Sequence, residues 1–405
     1  MSFMALALGW QLVATVPAVK YQTQLRMETL VRAPLLSETA PDGVNVIGDV
    51  LLAPRGEAIL YTPRLEVAAV YEPQIMVRQA FIRPTLELLH SAYVRADWKA
   101  TRYLKPLAVG TVTYGSFPFE TFEATSVGAD GVVRMDRSRY IYAEGVLGAQ
   151  TNLGLKRLNM AATAGWVVNG LLDPPRFPLR RGQTTPPRQV GPELRYLAVY
   201  GLTRRDTANL SLIGRDVSFS TRNRASLGFG TLGLEHQFSP LVKAQLDVGA
   251  AFTRRYPASA IAEVEPWHLH PTAELILRTP VPLGHHWPVK ARLRARYLPY
   301  VDAFSTRIYR RGEVGLQLKW EGRKQALVQS EFKLIRSLEN RGFLQYDAQA
   351  EGNVKVTWPL PFSRYTFLQA EGKAAWMRRQ LISERPILQW TANLGLVIRP
   401  QRGRL

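Results

Sequence analysis

The feature that most constrains this chain is an uninterrupted alternation of two kinds of side chain. From Leu344 to Trp358, apolar or small residues alternate with polar ones over fifteen residues. A period of two predicts a β-strand with one apolar face. Strands in soluble proteins average about 5–6 residues, whereas a tilted strand that crosses a bilayer needs about 9–11. The length of this pattern therefore favours strands long enough to cross a membrane.

The same alternation recurs along most of the chain, as in residues 21–33, 242–253 and 388–399. We find no sustained helical stripe of apolar residues and no apolar window long enough for a spanning helix. At roughly 22 residues per strand and connection, the chain accommodates about 16–18 strands. We therefore predict an all-β fold in residues 19–405: a single antiparallel transmembrane β-barrel of about 16–18 strands, without a domain boundary.

Short groups of turn-forming residues separate the alternating segments. A Pro/Arg-rich segment at about 171–191 contains five prolines, which no central strand tolerates. We predict that it forms one long loop, which either lies outside the barrel or folds into its lumen. The hairpin turns predicted from composition are Pro54-Arg55-Gly56, Glu72-Pro73, Pro359-Leu360-Pro361 and Glu339-Asn340-Arg341-Gly342.

Residues 1–18 have the composition of an export signal. The run from Met4 to Ala18 is mostly apolar and ends in small residues, although no Lys or Arg precedes it. We predict a signal peptide that is cleaved near Ala18; the alternatives are a first strand or helix of the mature fold, or a misassigned start codon. The chain has no cysteine, which excludes disulfides, Cys-ligated metals and a Cys nucleophile.

Alternation alone does not distinguish a soluble sandwich from a membrane barrel, because the apolar face points inward in one and towards lipid in the other. The placement of tryptophan favours the barrel, since an aromatic girdle is expected at each membrane interface. The alternative is that aromatic residues simply favour strands. The tryptophans on the apolar side of their strands are Trp98, Trp166, Trp267, Trp320, Trp358, Trp376 and Trp390.

The polar face carries many charges. Lys290, Arg292, Arg294 and Arg296 alternate with apolar residues, which places four cations about 7 Å apart on one face of one strand. In a lumen this row could act as a ladder for anions, with Arg176, Arg180, Arg181 and Arg188 of the Pro-rich loop forming a constriction. Alternatively, the row forms interior salt bridges; the carboxylates available on later strands are Glu313, Glu331, Asp347, Glu351 and Glu371.

These patterns resemble bacterial outer-membrane β-barrels of the porin-like class over nearly the whole chain. The resemblance implies a bacterial outer-membrane location, with outer-membrane lipid, lipopolysaccharide and the barrel-assembly machinery as partners. One departure concerns the C-terminus: such barrels commonly end on an aromatic residue, whereas here the last alternating segment ends at Ile398-Arg399-Pro400.

Other functions have weaker support. The GxGxxG match at 228–233 lies in a strand-like run without a following helix, which argues against a dinucleotide site. His268, His270 and the pair His285-His286 lack a completing carboxylate set, and His90-Ser91 point to opposite faces of a strand. The formal charge of +20 is spread along the chain rather than in a basic module, which argues against nucleic-acid binding.

We therefore predict a channel with a basic lumen that passes small anionic solutes, without enzymatic activity, cofactor or metal. One alternative is an outer-membrane barrel that partners an acidic polysaccharide or secretion export complex. A second alternative is a soluble basic β-protein.

Overall fold

The structure is a computed structural model in which the described part of the chain is almost entirely β-strand. Among the described residues, no helix has the length and apolar character needed to span a bilayer. The described residues are 18–32, 47–78, 85–115, 125–127, 133–135, 140–153, 157–172, 188–258, 263–282, 288–301, 308–322, 326–338, 348–378, 387–399 and 403–404.

Twenty-one strands are present in this part of the chain, and most of them have 11 to 15 residues. They are β1 (Ala18–Arg32), β2 (Ile47–Tyr61), β3 (Leu65–Arg78), β4 (Thr85–Trp98), β5 (Leu104–Gly115), β6 (Thr125–Val127), β7 (Val133–Met135), β8 (Tyr140–Leu153), β9 (Leu158–Leu171), β10 (Gln189–Gly201), β11 (Asp206–Phe219), β12 (Arg224–Gln237), β13 (Lys243–Tyr256), β14 (His268–Pro282), β15 (Pro288–Val301), β16 (Ile308–Glu321), β17 (Leu327–Ser337), β18 (Ala348–Pro359), β19 (Thr366–Arg378), β20 (Ile387–Ile398) and β21 (Gly403–Arg404).

Eighteen of these strands form one closed antiparallel barrel, in which each strand pairs with its neighbours along the chain. The short strands β6 and β7 pair only with each other, so β5 pairs directly with β8. The barrel closes where β20 pairs with β1, from Leu25 opposite Ile398 to Arg32 opposite Thr391. Closure leaves the barrel sheet without a free edge. The predicted all-β antiparallel barrel of about 16–18 strands is confirmed.

The alternation seen in the sequence becomes an outer and an inner face. Large apolar side chains of the outer face remain exposed, for example Leu86, Leu147 and Leu232, each more than 60% exposed. The register pairs inward-facing residues with inward-facing ones, as where Arg296 lies opposite Glu313. The charged residues of the inner face point into the lumen. An 18-stranded barrel is wide enough for this lumen to hold an aqueous channel.

The two ends of the barrel differ in their connections. We call the end with brief connections the short-turn end, and it also holds the start of β1 and the end of β20. Its connections are 62–64, 99–103, 154–157, 202–205, 238–242, 283–287, 322–326 and 360–365. At the opposite end, the long-loop end, the connections are mostly longer: 33–46, 79–84, 116–139, 172–188, 220–223, 257–267, 302–307, 338–347 and 379–386.

Two predicted turns are wrong, because Pro54-Arg55-Gly56 and Glu72-Pro73 lie inside β2 and β3. The β2–β3 ladder has no paired residues between Leu52↔Ile75 and Gly56↔Tyr71. Proline lacks an N–H to donate to a ladder, and this gap accommodates both prolines within long strands.

Other boundaries agree better with the sequence. Pro359 is the last residue of β18 and the connection 360–365 follows it, close to the predicted turn, whereas 339–342 lies outside the described residues. The predicted loop at 171–191 is shorter than expected, because β9 includes Leu171 and β10 begins at Gln189. Of the predicted signal peptide, only Ala18 is described, as the first residue of β1; cleavage there stays a prediction.

Candidate functional site in the lumen

The cation row predicted from sequence lies on the lumenal face of β15, and three of its four members have carboxylate partners. Lys290 Nζ lies 2.9 Å from Glu321 Oε2, and Arg296 Nη2 donates to Glu313 Oε2 at 2.6 Å. Arg294 Nε donates to a Glu274 carboxylate oxygen. The register explains the Arg296–Glu313 pair, because these residues lie directly opposite each other. Arg294 and Lys290 instead reach carboxylates two residues along the neighbouring strand, since Arg294 lies opposite Ile276 and Lys290 lies opposite Lys319.

Arg292 differs from the other three members of the row. It lies directly opposite Arg278 on β14 and Gln317 on β16, so neither neighbouring strand presents a carboxylate at its level. Its Nε atom is buried and makes no hydrogen bond within the described structure. Burying a guanidinium N–H without a partner is unfavourable, and the interior-salt-bridge interpretation therefore does not account for Arg292.

Arg292 belongs to a larger group that we call the cationic cluster: Lys243, Arg278, Lys290, Arg292 and Lys319, on the lumenal faces of β13 to β16. Lys243 lies opposite Arg278, and Lys290 lies opposite Lys319. Four of the five cations share two carboxylates. Glu235 accepts from Lys243 at 3.2 Å and from Arg278 at 2.9 Å, while Glu321 accepts from Lys290 at 2.9 Å and from Lys319 at 2.7 Å. The cluster thus keeps an excess of positive charge.

A cavity lined by both polar and apolar side chains adjoins the cationic cluster. It has a volume of about 800 Å³ and is lined by lumenal residues of β10 to β15, among them Glu235 and Arg294. Its polar groups are fixed by mutual hydrogen bonds: Asn209 Nδ2 donates to Asp247 at 3.0 Å, and Gln245 Nε2 donates to the same carboxylate at 2.8 Å. This side of the lumen therefore presents ordered donors and acceptors to an open space.

The wall at the β1–β20 seam is built differently. We call Arg26, Glu28, Arg55, Glu72 and Gln369 the seam network. Glu28 has a side chain only 2% exposed and accepts from Gln369 Nε2 at 3.0 Å. Arg26 lies 3.3 Å from Glu72 and 3.7 Å from Glu28, and Arg55 lies 3.6 Å from Glu72. Here carboxylates outnumber cations, because Arg55 also lies 3.7 Å from Glu57, and the Glu28 carboxylate is enclosed by its partners.

The loop arginines predicted to form a constriction are mostly beyond the described structure. Arg176, Arg180 and Arg181 fall outside the described residues. Arg188 lies at the base of the loop, where its Nη1 donates to the Leu172 carbonyl at 2.5 Å and its backbone N–H donates to Ser220 Oγ at 3.1 Å. These bonds tie Arg188 to the wall at the long-loop end.

Six of the predicted interface tryptophans lie within barrel strands and on their outer faces, while Trp267 immediately precedes β14. Trp320 and Trp358 stack with ring centroids 6.4 Å apart near the short-turn end, where Trp98 ends β4. The others, Trp166, Trp267, Trp376 and Trp390, lie in the half nearer the long loops. Their role at the two membrane interfaces stays a prediction.

The remaining sequence motifs show no further constellation. His268 and His270 have ring centroids 6.2 Å apart on β14, but His285 and His286 fall outside the described residues. Within the described ranges, no group of three potential metal ligands occurs. Gly228 to Gly233 lie inside β12, as expected for strand glycines. His90 is on the outer face of β4, where its Nδ1 hydrogen-bonds Tyr71 Oη at 2.8 Å.

With the lumen described, the comparison with protein-family models decides the family. The model of the EpsX exopolysaccharide export family matches residues 11–405. The chain belongs to the EpsX exopolysaccharide export family. The comparison with curated proteins found no match. As an EpsX-family barrel, the chain is a protein of the bacterial outer membrane.

The chain is also similar to several solved structures. The ferric preacinetobactin receptor BauA of Acinetobacter baumannii is 11% identical, with 95% of this chain and 80% of that chain covered and a TM-score of 0.50. OccK11 of Pseudomonas aeruginosa is 10% identical, with 95% and 96% covered and a TM-score of 0.45. A structure described as a bacterial polysaccharide outer membrane secretin is 10% identical, with 94% and 98% covered and a TM-score of 0.33. At these identities the likeness concerns the fold alone.

The outer-membrane location orients this EpsX-family barrel. Short turns of outer-membrane barrels lie at the periplasmic side and longer loops at the cell surface. The short-turn end is therefore the periplasmic end. Lys243 is the first residue of β13, and Glu321 is the last residue of β16, so the cationic cluster lies near the periplasmic mouth of the lumen.

The sequence pattern predicted the β15 row but missed the partners that define the site. Glu274 and Glu321 pair with the row, and Lys243, Arg278 and Lys319 complete the cationic cluster. Of the carboxylates expected to serve the row, Glu313 does so, whereas Glu351 and Glu371 pair with lysines of β17 to β19. All these residues occupy inward positions of their strands, but only the register shows which of them meet.

Proposed function

We propose that this barrel is the channel through which an exopolysaccharide crosses the outer membrane. The proposal rests on the family match over residues 11–405, and a closed 18-stranded barrel suits it because barrels of this size can hold an aqueous path. Polar lumenal side chains such as Thr231 and Asn209 can exchange hydrogen bonds with sugar hydroxyls as the polymer moves. Passage through the lumen needs no covalent chemistry, and we propose no catalytic residue.

We further propose that the periplasmic end docks an envelope export partner. The connections at this end are short, as at 202–205 and 238–242, so a polymer made inside the cell needs another component to carry it across the periplasm. Co-purification of such a partner with the full chain would support this. Outer-membrane lipid, lipopolysaccharide and the barrel-assembly machinery remain the expected partners of the outer face.

Genetic removal tests the channel role directly. In cells that make the polymer, deletion of the chain should leave polysaccharide in the periplasm and abolish it at the surface, and the intact chain should restore export. Unchanged surface polysaccharide in the deletion strain would contradict the proposal.

The absence of cysteine allows a sharper test of the path. Thr231 lines the lumenal cavity, whereas its neighbour Leu232 is 65% exposed on the outer face. In the otherwise cysteine-free chain, Thr231→Cys treated with biotin maleimide should slow export. Leu232→Cys, its matched control, should export normally after the same treatment. Equal export by both labelled variants would place the polymer outside this lumen.

A second candidate function is a channel for small anionic solutes, favoured by the cation row of β15. Because three of its members are ion-paired, we expect modest anion preference. Replacing Lys290, Arg292, Arg294 and Arg296 with Gln should shift the reversal potential in a KCl gradient towards cation preference. The same change at Lys355 and Lys373, lumenal lysines that both pair with Glu371, serves as the control. An unaltered reversal potential in the four-residue variant would remove the row from this role.

A further inference from the structure

The cationic cluster contains more positive charge than the wall around it neutralises. Five cations on β13 to β16 share the two carboxylates Glu235 and Glu321. Lys243 faces Arg278 directly, Arg278 faces Arg292, and Lys290 faces Lys319. Directly opposed like charges on neighbouring strands destabilise a sheet. If the cluster only stabilised the barrel, fewer cations would therefore serve better.

Arg292 is the group in this cluster that is prepared for a ligand. Residues on its own face at i±2 are the cations Lys290 and Arg294, and across the sheet it meets Arg278 and Gln317. Its buried Nε has no hydrogen-bond acceptor within the described structure, as is also true of Arg296, but unlike Arg296 it has no carboxylate partner among the described residues. A guanidinium is a planar fork that matches a carboxylate with two parallel hydrogen bonds. The missing component is thus an anion, and a carboxylate has the matching geometry.

The position of the cluster determines when a polymer would meet it. Lys243 begins β13, and Lys290 is the third residue of β15, both near the periplasmic end. The cavity begins at the same level, because Glu235 lines it and also pairs with Lys243 and Arg278, and it extends along the lumen past Arg294. A chain exported from the periplasm would therefore meet the cationic cluster at the entrance of that cavity.

We propose that the cationic cluster binds carboxylate groups of an acidic exopolysaccharide at the periplasmic mouth, with Arg292 as the central ligand. This inference rests on the proposed export function and adds the chemical class of the substrate. Lys290 and Lys319 supply flexible ammonium groups beside the Arg292 fork, and Gln317 can hydrogen-bond the hydroxyls of the same sugar. Inward residues of one strand are about 7 Å apart and neighbouring strands about 4.8 Å, so more than one uronic-acid unit can be held at once.

The test uses the full barrel in a planar bilayer, with trigalacturonate added at the short-turn end and ionic current measured. We expect concentration-dependent block in the wild type at about 0.1 M salt. Arg292→Gln should weaken the block about 10-fold or more, as expected for loss of a charge-assisted bidentate contact. Lys105→Gln is the matched control: Lys105 is a lumenal cation near the same end, but on β5, and its variant should stay within about twofold of the wild type.

Two neutral ligands keep the test independent of the folding of any variant. Maltotriose and the fully methyl-esterified trigalacturonate should block the wild type at least tenfold more weakly than the acid. Equal block by the acid and its ester, or equal block of the wild type and Arg292→Gln, would overturn the proposal. Failure of the export function would be seen separately, as normal surface polysaccharide in the deletion strain.

Discussion

The seam network and the cationic cluster are two charged regions of the same lumenal wall, built from the same alternation, with opposite outcomes. At the seam, Arg26 and Arg55 are matched by Glu28 and Glu72, and Glu28 is almost fully enclosed. In the cationic cluster, the side chain of Lys290 remains 69% exposed and Arg292 has no carboxylate opposite it.

This difference distinguishes charged side chains that stabilise the fold from charged side chains that are available to bind a ligand. Enclosed carboxylates need partners, because a buried unpaired charge costs several kcal/mol; the seam network supplies them and thereby helps to close the barrel. The ion pairs of the cationic cluster contribute little to folding, since their lysines are largely exposed and surface ion pairs are worth about 0–1 kcal/mol. We expect the excess positive charge of the cluster to act by attracting anions. The following predictions test whether the two regions really differ in this way.

The largest expected effect concerns closure beside the seam network. A Cβ at Gly395 would overlap the backbone oxygen of Met27 and the side chain of Glu28, so Gly395→Val should prevent β20 from pairing with β1. We expect the faster-migrating folded band on unboiled SDS gels to be lost. Gly372→Val on β19, where a Cβ would meet nothing within 4 Å, is the control and should keep that band. A folded Gly395→Val barrel would show that the seam is not closely packed.

The next test removes one cation from each region. Arg26→Gln leaves Glu28 and Glu72 short of a partner, and we expect the free energy of unfolding to fall by about 2–4 kcal/mol. Arg292→Gln relieves repulsion from Arg278 and should leave stability unchanged or raise it by up to about 1 kcal/mol. Urea unfolding from liposomes measures both. A similar loss in both variants would remove the distinction between the regions.

Salt should affect the stability of the Arg292→Gln and Arg26→Gln variants differently. Raising ionic strength from about 0.1 to 1 M shortens the Debye length from about 10 to 3 Å. The repulsion among the cations of the cluster should be screened, so any stability gained in Arg292→Gln should fall below about 0.5 kcal/mol. The loss in Arg26→Gln should persist, because the Glu28 carboxylate is enclosed. Unfolding curves at both salt concentrations provide the measurement.

The smallest expected effect lies on the outer face, away from both regions. Trp358 stacks on Trp320 near the short-turn end, and an aromatic pair contributes about 0.5–1.5 kcal/mol beyond its buried area. Trp358→Leu should therefore cost about 1 kcal/mol or less and leave trigalacturonate block unchanged. A change in block would mean that the outer face influences the lumenal site.

Much of this protein follows from its sequence because a period of two requires no knowledge of partners. The alternation determined the strands, their two faces, the approximate strand number and the inward direction of Arg292 and its neighbours on β15. The rule that proline marks a turn failed at Pro54 and Pro73. The interrupted β2–β3 ladder accommodates both residues inside strands.

The sequence by itself determined which residues of a strand share a face, since side-chain direction in a strand alternates. The closed barrel makes the polar face the lumenal one. Only the tertiary structure decided which of the lumenal residues meet. Register sets Glu313 opposite Arg296, and Arg278 opposite Arg292, so it separates the neutralised cations from the exposed excess. Register depends on pairing between strands and on closure of β20 onto β1, and these are properties of the whole barrel rather than of any one segment.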